Sequence, residues 1–492
     1  MRVRWLLVFL CAVLPVTAHA DGPEVPEAPV PEAVPEPVPR QIPPPTPIES
    51  PQTTASVAGA PKPERAPAQL RGESHEGEWA LWIPRVLLFP IRAVVYVVGW
   101  PISKGLYALE LYNLTSEIKS VFFNEDDTVA IYPVAFAETG FGLNIGGRLI
   151  VRRIANTDIG FTGRASFGGR FKQLFTTKLS TNKTFKHLTL DLRSSYEIRP
   201  KDQFFGIGDG DLVDDAPPMA VDARRGFIRE SRFRQDAFRT SAQATYQPIK
   251  PLSIGLSGAL LFRDFFPADE VANEDQLAAV YDVATVARFV EGSNTAYGEL
   301  EVTYDARETP SRFESLATPS AGWLLGGFAG YTRGFNGDPS RYLRYGLDLQ
   351  RFLRLAEGPR SLALRLKIEG VTGGYDEVSF YDLPKLGGPL LLRGYNLDQY
   401  RDRVAALGSI EYQFDTSESS GGFLFADVGR VYAQPEDLTL ADLRLGFGGG
   451  IQFHSKRSFL GRFTIASSPQ QDVFLSLSFD PVYDTRARVE RR

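Results

Sequence analysis

The feature that most constrains this chain is a two-residue alternation of apolar and polar side chains, sustained from about Asp127 onward. Within Ser361–Ile368, Leu362, Leu364, Leu366 and Ile368 fall on one face, and Ala363, Arg365 and Lys367 on the other. Tyr297–Asp305 sets Leu300, Val302 and Tyr304 against Glu299, Glu301, Thr303 and Asp305. Successive side chains of a strand point to opposite faces, so this period specifies strands with one apolar face. A soluble sandwich alternates too, but its strands average about 5 to 6 residues. These segments run about 10 to 14 residues, place charge repeatedly on the inward face, and gather aromatics near their ends. Those traits fit a membrane-spanning barrel with a wet lumen, an apolar belt and aromatic girdles.

Sixteen candidate strands emerge: 128–137, 140–152, 157–167, 170–181, 185–198, 234–247, 250–263, 294–305, 320–333, 341–354, 360–373, 403–414, 421–434, 442–455, 459–468 and 472–481. An even number suits a single-chain bacterial barrel. Connections after even-numbered strands are mostly short, with 306–319 the exception, whereas 199–233, 264–293 and 374–402 follow odd-numbered strands and are long. Long loops face outward in this class, and short turns face the periplasm. The expected fold is therefore an all-β, 16-stranded antiparallel transmembrane barrel over 126–483, with a short amphipathic helical segment before it and a basic tail at 484–492.

The amino-terminal region reads differently. Residues 1–20 have a basic start at Arg2 and Arg4, an apolar stretch and Ala18-His-Ala20, the pattern of a secretory signal peptide. Residues 21–77 are proline-rich at first and read as a disordered tether. Residues 78–115 are apolar, but Pro84, Pro90 and Pro101 divide them into short helices, and Arg92 and Lys104 leave too short a gap to span a bilayer. Trp79, Trp82, Arg85, Arg92 and Trp100 are expected to anchor these helices in a membrane interface. A plug inside the barrel and a hairpin packed on itself are the alternatives.

Composition removes several function classes. A formal net charge of −5 excludes a chain built to bind nucleic acid. The one cysteine, Cys11, lies in the signal segment, so no disulfide framework or cysteine-ligated metal is expected. His75, His187 and His454 are not spaced as a metal pair. No nucleophile elbow or phosphate loop is present, so neither an enzyme nor a cofactor is expected. The basic run Ala223–Arg234 suits lipopolysaccharide phosphates, or else a lumen wall or a solvated loop.

The 374–402 loop contains Leu386-Gly-Gly-Pro-Leu-Leu-Leu-Arg393-Gly394-Tyr395, and the next two strands contain Ser409-Ile-Glu411 and Phe425-Ala-Asp427-Val-Gly429. Tyr304-Asp305-Ala-Arg307, then Thr318-Pro-Ser-Ala-Gly322, and Phe204-Phe-Gly206-Ile-Gly208 accompany them. In this combination, over about residues 128–481, the chain resembles the BamA/TamA-type bacterial surface antigens of the Omp-eighty-five superfamily. An Arg-Gly-Phe/Tyr tip in the sixth surface loop and a Phe-x-Asp-x-Gly strand define that family. It departs from the family in leaving no room for periplasmic POTRA modules before the barrel, so a short member without them is expected.

If the loop folds into the lumen, the planar fork of Arg393 needs a carboxylate on the inner wall, and Asp427 and Glu411 are the candidates. The resemblance implies that Arg393 meets Asp427, with Glu411 a secondary contact. Gly387, Gly388 and Gly394 would permit tight turns and close approach of the backbone. The bland alternative is a solvated Arg393 and an ordinary lumen carboxylate. Gly446–Gly450 marks either tight packing or a weakly paired seam.

The resemblance implies a role at the bacterial outer membrane in inserting or translocating client proteins. A weak seam between the first and last strands, roughly Ala130–Ala137 and Val473–Phe479, would template a client's strand. Outer-membrane lipids and lipopolysaccharide are the other expected partners. A passive pore, for which Glu299, Glu301, Arg365 and Lys367 would suit the lumen, and a lipid-handling barrel are the alternatives.

Overall fold

The computed structural model describes residues 124–478, apart from 125, 127, 138–141, 155–156, 182–184, 216, 218, 270–274, 309–318, 356–359, 416–419 and 455–458. The signal segment, the tether, the interfacial helices with Trp79, Trp82, Arg85, Arg92 and Trp100, and the basic tail all lie outside the described residues.

The alternating segments fold as strands in the order β1 (Val129–Ala137), β2 (Leu143–Val151), β3 (Gly160–Gly168), β4 (Phe171–Ser180), β5 (Leu188–Phe204), β6 (Ser231–Ile249), β7 (Leu252–Pro267), β8 (Ser293–Asp305) and β9 (Gly322–Gly334). The order continues with β10 (Arg341–Arg354), β11 (Arg360–Val371), the short pair β12 (Lys385–Leu386) and β13 (Tyr400–Arg401), then β14 (Val404–Asp415), β15 (Ser420–Tyr432), β16 (Arg444–His454), β17 (Phe459–Ser468) and β18 (Gln471–Ser478). Sixteen of them form one sheet in which each strand pairs with its sequence neighbour; β12 and β13 pair only with each other inside the β11–β14 loop. This is the meander of a transmembrane β-barrel, and β1 and β18 stand at the two ends of the strand order.

Burial follows the two-residue period. Leu300 is 51% exposed on β8, whereas Glu299 beside it is 3% exposed. The exposed set elsewhere is also apolar: Leu256 and Leu260 on β7, Leu343 and Leu347 on β10, Ile465 on β17, Val473 and Leu475 on β18. An apolar outer face with charge turned inward is stable only against lipid.

The largest departure from the sequence expectation is length. β5, β6 and β7 run 17, 19 and 16 residues, because residues read as loop continue the ladder. Phe204 pairs with Ser231, and Phe233 with Pro267. These extensions end in an aromatic cluster that keeps them ordered. Phe380 lies at its centre with ring centroids 5.4 Å from Phe204, 5.5 Å from Phe233 and 4.9 Å from Phe265. Each such pair is worth about 0.5–1.5 kcal/mol beyond its buried area. Tyr281, in the β7–β8 loop, donates its hydroxyl to the Phe205 carbonyl at 2.6 Å and accepts from the Arg229 amide at 2.9 Å. The β5–β6, β7–β8 and β11–β14 loops thus fuse into one roof with a continuous apolar core.

The basic run at 223–234 belongs to this roof, and its arginines are spent on neighbours. Arg229 meets Asp275 at 2.6 Å, Arg224 meets Asp376 at 3.2 Å, and Arg234 grips Asp236 at 2.8 Å through two nitrogens.

Candidate functional site: a loop tip pinned to the barrel wall

The β11–β14 loop turns back on itself at its tip. Gly387 donates its amide to the Leu391 carbonyl at 2.8 Å, and Gly388 donates to the Tyr395 carbonyl at 3.1 Å. Gly387 has φ +113°, and a Cβ there would lie 2.2 Å from the Asn396 carbonyl oxygen. No other residue fits such a turn without strain. Leu392 also takes a positive φ of 55°. It is held there by full burial among Leu386, Tyr395, Tyr400, Leu407 and Val431.

This turn delivers Arg393 to the inner wall, where it is 2% exposed. Its Nε donates to Asp427 Oδ2 and its Nη2 to Asp427 Oδ1, both at 2.7 Å, the bidentate fork. The Arg393 backbone amide adds a third bond to Asp427 at 3.0 Å. Nη1 donates to Glu411 Oε2 at 2.6 Å, and Nη2 reaches the Ser409 hydroxyl at 3.2 Å. Glu411, fully buried, is shared: Arg462 of β17 donates to the same oxygen at 2.6 Å, and Gln413 donates to the other at 2.8 Å.

The Phe-x-Asp-x-Gly spacing now has a physical meaning. Residues two apart on a strand share a face, so Phe425, Asp427 and Gly429 form one inward row on β15. The Arg393 guanidinium lies 3.5 Å from the Phe425 ring centroid, a cation–π contact on a desolvated face. Asp427 supplies the countercharge. Gly429 leaves room for both the neighbouring strand and the loop, because a Cβ there would come within 2.9 Å of the Ala406 carbonyl oxygen and 3.1 Å of Leu386.

Glycine on β16 has the same use. Gly446 sits opposite Asp427, and a Cβ on it would lie 1.7 Å from the Arg393 carbonyl oxygen. Gly394, at φ +94°, would place a Cβ 2.4 Å from the Ser467 carbonyl oxygen. Of the two readings of Gly446–Gly450, tight packing describes the observed contacts: the loop tip lies against this stretch, and β16 is paired on both sides, to β15 and β17. Tyr395 completes the tip. It is 2% exposed, its hydroxyl donates to the Leu445 carbonyl at 3.2 Å, and its ring meets Tyr400 edge-on at 5.4 Å.

Arg393, Gly394, Tyr395, Glu411, Phe425, Asp427 and Gly429 therefore meet at one place on the β14–β17 wall, Gly387 and Gly388 shape the turn of the loop itself, and the solvated alternative for Arg393 does not describe it. Sequence reasoning missed Arg462, Ser409 and Gln413. Ser409 and Gln413 flank Glu411 at two-residue spacing, a signal that was present. Arg462 stacks 3.3 Å from the Phe423 ring centroid, repeating one step away the arrangement of Arg393 on Phe425.

The roof ties into the same region. Arg401, 1% exposed, accepts through its carbonyl from the Gly208 amide at 2.9 Å and lies 4.9 Å from the Phe204 ring. Asp209 meets Arg430 at 3.0 Å and Arg444 at 3.4 Å, fastening the β5–β6 loop over β15 and β16. Burial pushes the Asp209 carboxyl up to about 6, although both arginines pull the other way. Burial likewise brings Lys385 down to about 8 against the pull of Asp398, 3.1 Å away.

The Asp305–Arg307 motif lies at the other end of β8. Arg307 folds back on Asp305 through two bonds of 2.7 Å, and Gly322 (φ +99°) would press a Cβ 2.1 Å from the Ala306 carbonyl oxygen. It shapes the β8–β9 connection.

The expected channel charges are engaged with neighbours. Glu299 accepts from the Tyr297 hydroxyl, Arg365 donates to Asp348 with Nε at 3.0 Å, and Lys367 donates to Glu369 at 2.9 Å.

Residues 269–469, from the roof to β17, match the Omp85 superfamily domain. In fold the chain is similar to BamA from Haemophilus ducreyi lacking POTRA domains 1–3, with a TM-score of 0.50 at 13% identity, over 71% of this chain and 70% of that one. CdiB from Acinetobacter baumannii aligns with a TM-score of 0.43 at 10% identity, over 71% of this chain and 59% of that one. CdiB from Escherichia coli gives 0.46 at 10% identity, over 71% of this chain and 61% of that one. No curated protein matches by sequence.

Proposed function

We propose that this chain, whose barrel carries the Omp85 superfamily domain, inserts proteins into the outer membrane or moves them across it. The observation that carries the reading is the buried Arg393–Asp427–Glu411 contact, which fixes a long loop inside the barrel. A buried charge cluster of this kind contributes little net stability compared with apolar packing, and is best understood as specifying one arrangement. Here the specified arrangement is a loop held against β14–β17, which braces the wall beside β18. On this reading β1 and β18 offer their edges to a client strand, whose main-chain hydrogen bonds supply affinity. The client's own folding free energy drives the step, and no nucleotide, cofactor or chemical conversion is required.

A passive pore is the competing reading. The pairing of Glu299, Arg365 and Lys367 with neighbouring side chains speaks against a wall built to keep its charges hydrated.

The test is a quantitative outer-membrane and surface proteome after deletion of the gene, complemented with wild type or with Arg393→Ala. The expected result is loss of a defined set of barrels or surface proteins, restored by wild type alone, with the variant barrel present at normal level. An unchanged proteome removes the proposal, and steady conductance by the purified wild-type barrel then favours the pore.

A further inference from the structure

The outward face of β9 and β10 is apolar between two arginine-bearing ends. Trp323 and Leu325 on β9 and Leu343 and Leu347 on β10 are 39–53% exposed, as lipid-facing residues are. Residues two apart share a face, so Arg333 ends this row on β9, and Arg341 and Arg351 bound it on β10. From Arg341 to Arg351 is about 34 Å along the strand, and about 26 Å along the barrel axis at a tilt of about 40°. The apolar band of a membrane barrel is about 25 Å tall. The two ends therefore coincide with the two headgroup planes. At the far end Arg351 lies 4.4 Å from the Trp323 ring centroid. At the roof end, beside the turn that Asp338 ties to Arg288 at 3.5 Å, stand two arginines.

Those two face each other. Arg333 and Arg341 are direct cross-strand partners, and both are exposed. Like charges placed opposite one another work against the pairing of their strands. Among the described residues neither guanidinium meets a carboxylate, and the outward positions of β8, β9, β10 and β11 carry none. By contrast, Arg224, Arg229 and Arg234 of the basic run each hold a carboxylate. Arg341 Nε donates to the Tyr331 hydroxyl at 3.1 Å, which leaves the tyrosine its own proton to donate outward. Tyr331 is 40% exposed, two residues below Arg333 on the same face. Three donors thus converge above an apolar row, and the protein supplies no countercharge on this face.

We propose that Arg333, Arg341 and Tyr331 bind the headgroup phosphate of a phosphomonoester-bearing glycolipid, the chemistry of lipopolysaccharide, whose acyl chains run along Leu343 and Leu347. A phosphomonoester carries a charge of about −1.5 to −2 at neutral pH, which matches two opposed guanidinium groups. A phosphodiester headgroup carries a single charge and leaves one arginine uncompensated. Guanidinium forks suit phosphate oxygens, and the tyrosine hydroxyl adds a further donor. The bound lipid ties β9 to β10 from outside, where the two charges alone push apart. The assignment rests on the outer-membrane reading for the leaflet that the roof end meets, and on nothing about clients.

The test uses the full chain purified in a nonionic detergent, with lipid A, phosphatidylglycerol or inorganic phosphate titrated at equal ionic strength. Thermal unfolding is followed, and heat-modifiable migration verifies that each variant is folded. The expected result is a saturable rise in midpoint with lipid A, a weaker one with phosphatidylglycerol, and none with inorganic phosphate. Arg333→Gln and Arg341→Gln each raise the half-saturating concentration of lipid A about tenfold, as loss of one charge-assisted bond implies. Arg225→Gln, at a roof arginine whose side chain is 83% exposed, matches wild type. Without lipid, Arg333→Gln unfolds at or above the wild-type midpoint, because the repulsion is gone. At about ten times the wild-type half-saturating concentration of lipid A it unfolds below wild type. An arginine with a merely structural role would not give that reversal. The proposal is overturned if inorganic phosphate reproduces the rise, if phosphatidylglycerol binds as tightly as lipid A, or if the folded Arg333 and Arg341 variants respond like wild type. The readout is lipid binding, so its failure leaves the client reading standing, just as an unchanged proteome leaves this one.

Discussion

Replacing Arg393 by alanine tests the pinned loop most directly, and the structure sets the size of the effect. Among the described residues the guanidinium makes side-chain hydrogen bonds between 2.6 and 3.2 Å to Asp427, Glu411 and Ser409. After its removal Glu411 keeps Arg462 and Gln413, so its charge stays compensated. Asp427 keeps the Ser409 hydroxyl and the amide of residue 393, and loses the cation on its two oxygens. Removing one member of a buried pair costs about 3–5 kcal/mol, because the other is left buried and uncompensated. Since about 1.4 kcal/mol is tenfold, the opening equilibrium of the loop shifts by roughly 140- to 3,700-fold. Thermolysin cleavage within 385–403, measured on the folded full chain in detergent, reads that equilibrium when opening is fast relative to cleavage. Asp427→Asn preserves shape and leaves Arg393 its bond to Glu411, so its effect is smaller. The double variant should be far less than additive, because the two changes remove one interaction. If both single variants keep folded barrels and cleave within about threefold of wild type, the contact contributes under about 0.7 kcal/mol. The loop would then not be held by this contact, and the reasoning fails.

Three further outcomes follow from features of the same wall and rim. Gly446→Ala, whose Cβ would meet the Arg393 carbonyl at 1.7 Å, should destabilise by about 1–3 kcal/mol and free the loop to the same protease, whereas Gly147→Ala, with nothing within 4 Å, should do neither. Leu300→Arg places a charge on the lipid-facing side of β8 and should cost about 2–4 kcal/mol in lipid-based unfolding if the site is near the bilayer midplane, while Glu301→Gln on the inner face costs less. Asp209 has its carboxyl raised from 3.8 to about 6, so the folded protein holds that proton where the unfolded chain has released it. The stability of wild type relative to Asp209→Asn should therefore fall as pH rises from about 4 to about 6 and stay level above; an unchanging difference in denaturant titrations would contradict the burial argument.

Legibility in the sequence followed locality. The sixteen strands were readable because the period-two pattern is written within each strand. Arg393, Asp427 and Glu411 were readable because the tip and its two wall strands are consecutive, and the Phe-x-Asp-x-Gly row puts three functions on one face. Arg462 was not, because its approach to Glu411 depends on three successive pairings, β14 to β15 to β16 to β17. The roof was hidden for a related reason. Phe204, Phe233, Phe265, Tyr281 and Phe380 come from separate stretches with no shared period. The extra length of β5–β7 follows from that cluster, so segments such as 199–204 looked like loop. The partners of the lumen charges were not legible, because alternation reports which face a side chain takes and says nothing of its partner, such as Asp348 for Arg365.

With the long loops facing outward, as expected for this class, the fused roof sets how this end of the molecule would be recognised. Its tips are formed by stretches far apart in the chain, yet Phe380 and Tyr281 clamp them into a common frame. An antibody or phage adhesin landing there would meet one conformational epitope rather than three independent peptides. Such a binder should label intact cells and lose its target on a denaturing blot. A substitution in the clamp, Phe380→Ala for example, should abolish recognition at tips it never touches.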